Sequence, residues 1–129
     1  MTDLPAGYPF KPDLEITPRQ AKKALDEGRL HIVDCRTKPE VEVASIAGAQ
    51  HIPLDELEQR ADEIEPEAGQ DVAVICHHGV RSMKATLMLR HMGMTNVKSI
   101  AGGIELWSTS ADSTVPRYER GGGVCRVVK

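Results

Sequence analysis

Aromatic side chains are nearly absent from this chain: one Trp, two Tyr and one Phe among 129 residues. Any core must therefore be aliphatic. Long apolar runs are missing too. None approaches the ~18 residues of a membrane-crossing helix, so membrane is not expected as a partner. The opening MTDLPAGYPF has neither the basic nor the apolar region of a secretory signal. Cysteine is limited to three residues, an odd number at no zinc-like spacing, which argues against a disulfide framework or a structural metal. Neither sign of charge dominates. A net charge of −3 with both signs mixed gives no electrostatic footprint for nucleic acid. Together these absences describe one domain without repeats, kept in a reducing cytoplasm.

What is present alternates between strand and helix patterns. Residues 1–13 hold Pro5, Gly7, Pro9 and Pro12 and read as an irregular lead-in. Leu14 and Ile16 suggest a short strand. Thr17 and Pro18 mark a helix start and Gly28 its end, with Ala21, Ala24 and Leu25 on the buried face. Leu30–Asp34 reads as a strand, Glu40–Ser45 as a short helix, and Ala49–Ile52 as a strand closed by Pro53. Leu54, Leu57, Ala61 and Ile64 predict one further helix ending before Pro66. Val97–Ile100 predicts the last strand, Gly102-Gly103 a turn, and Ile104 to about Ser108 a final helix. This order predicts an α/β fold, a parallel sheet of about five strands with helices on both faces. Residues 110–129, with Gly121-Gly122-Gly123, read as a polar, loosely held extension to the domain at 14–109.

The stretch Asp71–Met92 organises the rest. Val72, Val74 and Ile75 form a short buried strand. Ala85, Met88, Leu89 and Met92 recur at helical spacing from Ser82 onward. Between them lies Cys76-His77-His78-Gly79-Val80-Arg81, a cysteine at a strand's carboxyl end facing a helix amino terminus. That terminus offers unpaired N–H groups and roughly half a positive charge. Arg81 adds a permanent cation, and both effects favour a thiolate. Gly79 permits a positive φ, so successive amides can turn inward as an anion nest.

These residues resemble the active-site loop of rhodanese-domain sulfurtransferases, the single-domain thiosulfate sulfurtransferase-like family. Ile32-Val33-Asp34-Cys35-Arg36 through Glu40, with Ile46–Pro53, is similar to the family's strand-and-turn signature. Gly102–Trp107 is similar to its carboxyl-terminal signature. The resemblance spans about residues 14 to 109. Ser45 stands where the family often has a histidine. The resemblance implies a rhodanese-like fold and a Cys76 persulfide, charged by thiosulfate or a related donor and discharged to cyanide or a thiol, with no cofactor. A protein persulfide is an alternative donor. Two-step transfer of this kind is covalent catalysis with ping-pong kinetics.

The site expected from this reading places Cys76 as nucleophile, with the loop amides of His77, His78, Gly79, Val80 and Ser82 around the anionic sulfur. Arg81 either binds the donor anion or holds the loop. His77 and His78 either add charge and protons near pH 6 or are exposed spacers. Asp34, Arg36 and Glu40 support the loop, Asp34 accepting loop amides and Arg36 pairing with Glu40 or another carboxylate; in the alternative, Arg36 faces the pocket. No metal is expected, since Cys-His-His in one tight turn converges poorly on an ion. His51 reads as a surface residue, Trp107 as an anchor and Cys35 as core filling at a strand end, the alternative being a position near Cys76. Cys125 is either incidental or a mobile thiol able to reach Cys76. A cysteine-dependent phosphatase or arsenate reductase is the competing enzyme class, but it needs five residues between cysteine and arginine. This chain has four, His77 to Val80. A non-catalytic binding module is the third reading.

Overall fold

A computed structural model describes residues 4–121 and 124–128. Gly122 and Gly123 of the glycine run, and residues 1–3 of the lead-in, lie outside the described residues. Five parallel strands make one sheet in the order β1-β5-β4-β2-β3, formed by β1 (Glu15–Ile16), β2 (Leu30–Asp34), β3 (Gln50–His51), β4 (Asp71–Ile75) and β5 (Lys98–Ile100). The short apolar runs sit at the centre, as strands covered on both faces should.

Strand periodicity sorts the core into two clusters. Ile32, Ala73, Ile75 and Ile100 point to one face, where Ala21 of α1 (Pro18–Asp26) and Ile104 of α5 (Gly103–Leu106) cover them. Val33, Val72, Val74 and Cys76 point to the other, against Leu57 of α3 (Leu57–Arg60) and Ala85 and Leu89 of α4 (Val80–His91). The expected α/β architecture with helices on both faces is what forms.

Local differences have local causes. α2 (Lys38–Val43) starts two residues before the expected Glu40, because the Thr37 N–H and hydroxyl both donate to the Glu40 carboxylate and set the first turn. The helix expected from Leu54 is three consecutive short turns, 54–56, 57–60 and 61–63, in which Arg60 binds Glu56 and Glu63. α4 begins at Val80 rather than Ser82, since Gly79 already turns the chain at φ +100. The last helix ends in a wide turn at Trp107–Ala111.

The tail requires a larger correction. It is not loosely held: β6 (Arg117–Gly121) and β7 (Val124–Val128) form an antiparallel hairpin. Its Tyr118 is 2% exposed and packs into the first core cluster.

Candidate active site

β4 delivers Cys76 to the carboxyl edge of the sheet, and α4 starts immediately beyond the loop. The short helix α5 beside it fixes the loop backbone. Ile104 N–H donates to the Cys76 carbonyl at 2.8 Å, and Glu105 N–H to the His77 carbonyl at 3.1 Å. This approach demands glycine at 103: a Cβ there would lie 2.4 Å from the Cys76 carbonyl oxygen. Tyr8 of the lead-in adds a tie absent from the sequence reading. Its hydroxyl accepts the Gly102 N–H at 3.0 Å and donates to Glu15, also at 3.0 Å. Burial and the Glu15 carboxylate push its pKa up to about 12.

Cys76 is 1% exposed, and the groups that hydrogen-bond its sulfur are neutral. Gly79 N–H donates to Sγ at 3.0 Å, and the Ser82 hydroxyl stands 3.4 Å away, itself 2.7 Å from the Ser99 hydroxyl. The Cys35 thiol is the strongest influence holding the Cys76 pKa down, at about 5; burial opposes it, and the Ser82 hydroxyl and the Ser82 and Gly79 amides reinforce it. The Cys35 thiol is displaced the other way, upward, by the same contact and by burial. Neutral donors thus hold a thiolate at neutral pH.

The charged groups gather on the other side of the loop around Glu40, which is completely buried. Arg81 meets it bidentately, with both nitrogen–oxygen distances 2.7 Å. The Tyr118 hydroxyl donates to Oε2 at 2.5 Å, and Arg120 reaches Oε1 at 3.3 Å. Burial alone would raise the Glu40 carboxyl. The hydrogen bonds from Arg81, Tyr118 and Thr37 outweigh it and keep the group well below the usual carboxylate range. Arg81 is raised in turn, chiefly by its hydrogen bonds to Glu40.

Arg36 is fully buried and does not face a pocket. Its guanidinium binds Asp34 at 2.9 and 2.7 Å, the Ala44 carbonyl at 2.6 Å and the Tyr118 hydroxyl at 3.2 Å. Its carboxylate partner is therefore Asp34, while Glu40 offers it only a backbone carbonyl at 3.3 Å. Asp34 takes the Arg36 backbone N–H at 3.1 Å rather than an amide of the 76–82 loop.

The two histidines differ. His77 is buried, donates from Nε2 to the Tyr118 carbonyl at 2.9 Å and stacks on the Tyr118 ring at 4.0 Å. Burial and the neighbouring His78 lower its pKa, and the ring is not an exposed spacer. His78 is exposed and stacks on His77 at 3.9 Å. Val80 is exposed. His51 is partly buried and donates to the Arg36 carbonyl at 2.7 Å, fixing the rim. Trp107 is buried in the first core cluster. Among the described residues no group of three or more His, Cys, Asp or Glu converges to hold a metal ion.

A groove of about 420 Å³ beside the loop is lined by His77, His78, Glu105, Arg117, Tyr118 and Arg120, among others. A wider one, about 770 Å³, lies by Arg29, Asp71 and Lys98, at the strands' amino-terminal ends, away from Cys76. Among the described residues no helix is long and apolar enough to cross a membrane.

A buried thiolate at the carboxyl edge of a five-stranded parallel sheet, cradled by a loop that opens a helix, defines a cysteine-loop α/β protein. The Rhodanese-like domain family model matches residues 17–110, and the chain belongs to that family. It is 37% identical over 109 residues to the maize adenylyltransferase and sulfurtransferase MOCS3-1, covering 80% of this chain but only 23% of the maize protein. It is 34% identical over 97 residues to the putative sulfur carrier protein YrkF of Bacillus subtilis, covering 75% of this chain and 51% of that one. The structure of the human single-domain sulfurtransferase TSTD1 superposes with a TM-score of 0.64 at 27% identity, covering 74% of this chain and 95% of that one. The family and these relatives support a sulfur-transfer role, in an enzyme of the rhodanese kind.

Proposed function

We propose that Cys76 carries the transferred sulfur. Its thiolate attacks the outer sulfur of thiosulfate or a related donor, releases sulfite and holds the sulfur as a persulfide. Cyanide or a thiol then removes it. The observation that carries this reading is the Cys76 sulfur itself, met by the Gly79 N–H at 3.0 Å and held as a thiolate by neutral donors. Such donors stabilise an anionic sulfur without placing a fixed counter-ion on it, so it remains a nucleophile before loading and a stabilised persulfide afterwards. Sulfurtransferase and sulfur-carrier relatives support a protein persulfide as an alternative donor. A reducing cytoplasm suits its three free thiols.

Arg81 acts in this reading as a strut, holding the loop through Glu40. Asp34 and Arg36 form a second strut behind it. The cation that a phosphatase or arsenate reductase would need above its cysteine is engaged with Glu40. Intact-mass measurement after incubation with thiosulfate tests the assignment. The wild-type protein gains about 32 Da, one sulfur, and makes thiocyanate from cyanide, whereas Cys76→Ser does neither. Normal turnover by Cys76→Ser would overturn it.

A further inference from the structure

The second buried thiol of the site, Cys35, helps hold the Cys76 thiolate but carries no sulfur in the transfer just described. The pairing of β2 with β4 places it. Val33 is level with Val74 and Asp34 with Ile75, and the ladder continues through a bond from the Cys35 N–H to the Ile75 carbonyl at 3.0 Å. The next pair in that register is Cys35 and Cys76. Adjacent strands run about 4.8 Å apart, and disulfides span Cα separations of about 4.4–6.8 Å. Side chains alternate faces along a strand, and both cysteines belong to the cluster that holds Val33 and Val74. Each is 1% exposed. Cys125 packs against the opposite cluster, on a strand paired with β6, which removes the mobility its reach to Cys76 required.

Resting on the persulfide reading, we propose that Cys35 is the resolving thiol of Cys76: without an acceptor, it displaces the sulfane sulfur as sulfide and closes a Cys35–Cys76 disulfide. The bond formed joins the two γ-sulfurs; the bond broken joins Cys76 Sγ to the outer sulfur. The Cys35 proton leaves with that outer sulfur, so Cys76–S–S⁻ and Cys35–SH give Cys76–S–S–Cys35 and HS⁻. Two thiol sulfurs are oxidised and the sulfane sulfur is reduced, with no outside oxidant. A dithiol reductant restores both thiols by ordinary exchange. The contact with Cys76, and burial after it, raise the Cys35 pKa, which keeps its proton in place for the departing sulfide and makes the step slower than transfer to a good acceptor. Proximity supplies what nucleophilicity lacks.

The full chain carrying Cys125→Ser, so that only two thiols remain, is loaded with thiosulfate, freed of it and left without acceptor. Sulfide is trapped with a bimane reagent, and the peptides are mapped over time. The expected result is loss of the Cys76 adduct, one equivalent of sulfide and a Cys35–Cys76 linked peptide, while Cys35→Ser in the same background keeps its persulfide. A lasting Cys76 persulfide with Cys35 free overturns the inference and leaves the sulfurtransferase reading intact. If no adduct forms at all, the sulfurtransferase reading and the sulfide release fail together. Oxidation by diamide then judges the geometry alone: a Cys35–Cys76 disulfide shows the two sulfurs within bonding reach while the resolving role falls with the persulfide, and two free thiols overturn the pairing too.

Discussion

The two sides of the Cys76–Ser82 loop are held by opposite means. On the sulfur side every donor is neutral: the Gly79 amide, the Ser82 and Ser99 hydroxyls and the Cys35 thiol. On the outer side the contacts are ionic, with Arg81 and Arg120 on Glu40 and Arg36 on Asp34. A thiolate paired with a guanidinium would be stable but less free to share its electrons. Separating the two kinds of contact leaves the sulfur reactive while the charges tie down the backbone that cradles it. The hairpin joins the outer side through Tyr118, so the tail belongs to the support of the site.

Breaking the ionic side has the largest expected effect. Glu40→Ala leaves the Arg81 head and the Tyr118 hydroxyl without their carboxylate, and removing one member of a buried pair costs about 3–5 kcal/mol. Urea unfolding should show that loss as a lower midpoint. Acid should act in the same direction. A carboxyl held below its usual pKa of about 4.3 contributes stability above that value and loses it as pH falls towards the folded-state pKa. A Glu40→Ala midpoint within 1 kcal/mol of wild type, on the order of normal scatter for surface changes, would mean the cluster is ornamental.

Arg81→Ala separates a strut from a substrate-binding cation. With its charge committed to Glu40, its loss should lower kcat/KM on the order of tenfold for thiosulfate and for an uncharged thiosulfonate ester alike. A KM rise confined to the anionic donor would return Arg81 to donor binding and break the contrast between the two sides.

The sulfur side was far more legible in the sequence than the ionic side. A β-branched run, a cysteine, a glycine and a helical periodicity occupy consecutive residues, so local rules suffice to place Cys76 between β4 and α4. Glu40 lies 41 positions from Arg81 and 78 from Tyr118, and no local pattern names partners so distant. The Thr37–Glu40 spacing did mark a helix start, a signal that the reading of Glu40–Ser45 passed over. The tail misled because its glycine run reads as a linker. Yet Tyr118 on one side of it and Val124, Val127 and Val128 on the other are strand formers, and β6 and β7 pair through them. The Cys35–Cys76 neighbourhood depends on which parallel strands pair, which is a property of the sheet.

The smallest effect should come from trimming a single neutral donor. The wild-type Cys76 thiolate forms as pH rises through about 5, so its alkylation rate should climb through that value and stay level to pH 8, where a free thiol of pKa about 8.5 is still gaining. Below pH 5 the sulfur is protonated and the rate falls. A midpoint at or above that of a free thiol would remove the electrostatic account of the site. Ser99 stands one bond back: its hydroxyl can donate to that of Ser82, leaving the Ser82 proton for the sulfur. Ser99→Ala leaves the loop amides in place and withdraws only that orientation. One neutral hydrogen bond is worth about 1 kcal/mol, so the midpoint should rise by about half to one pH unit. Ser82→Ala, which removes the hydroxyl itself, should move it at least as far in the same direction. If neither variant moves the midpoint while Cys35→Ala does, the hydroxyls only fill space and the thiol contact alone holds the sulfur anionic.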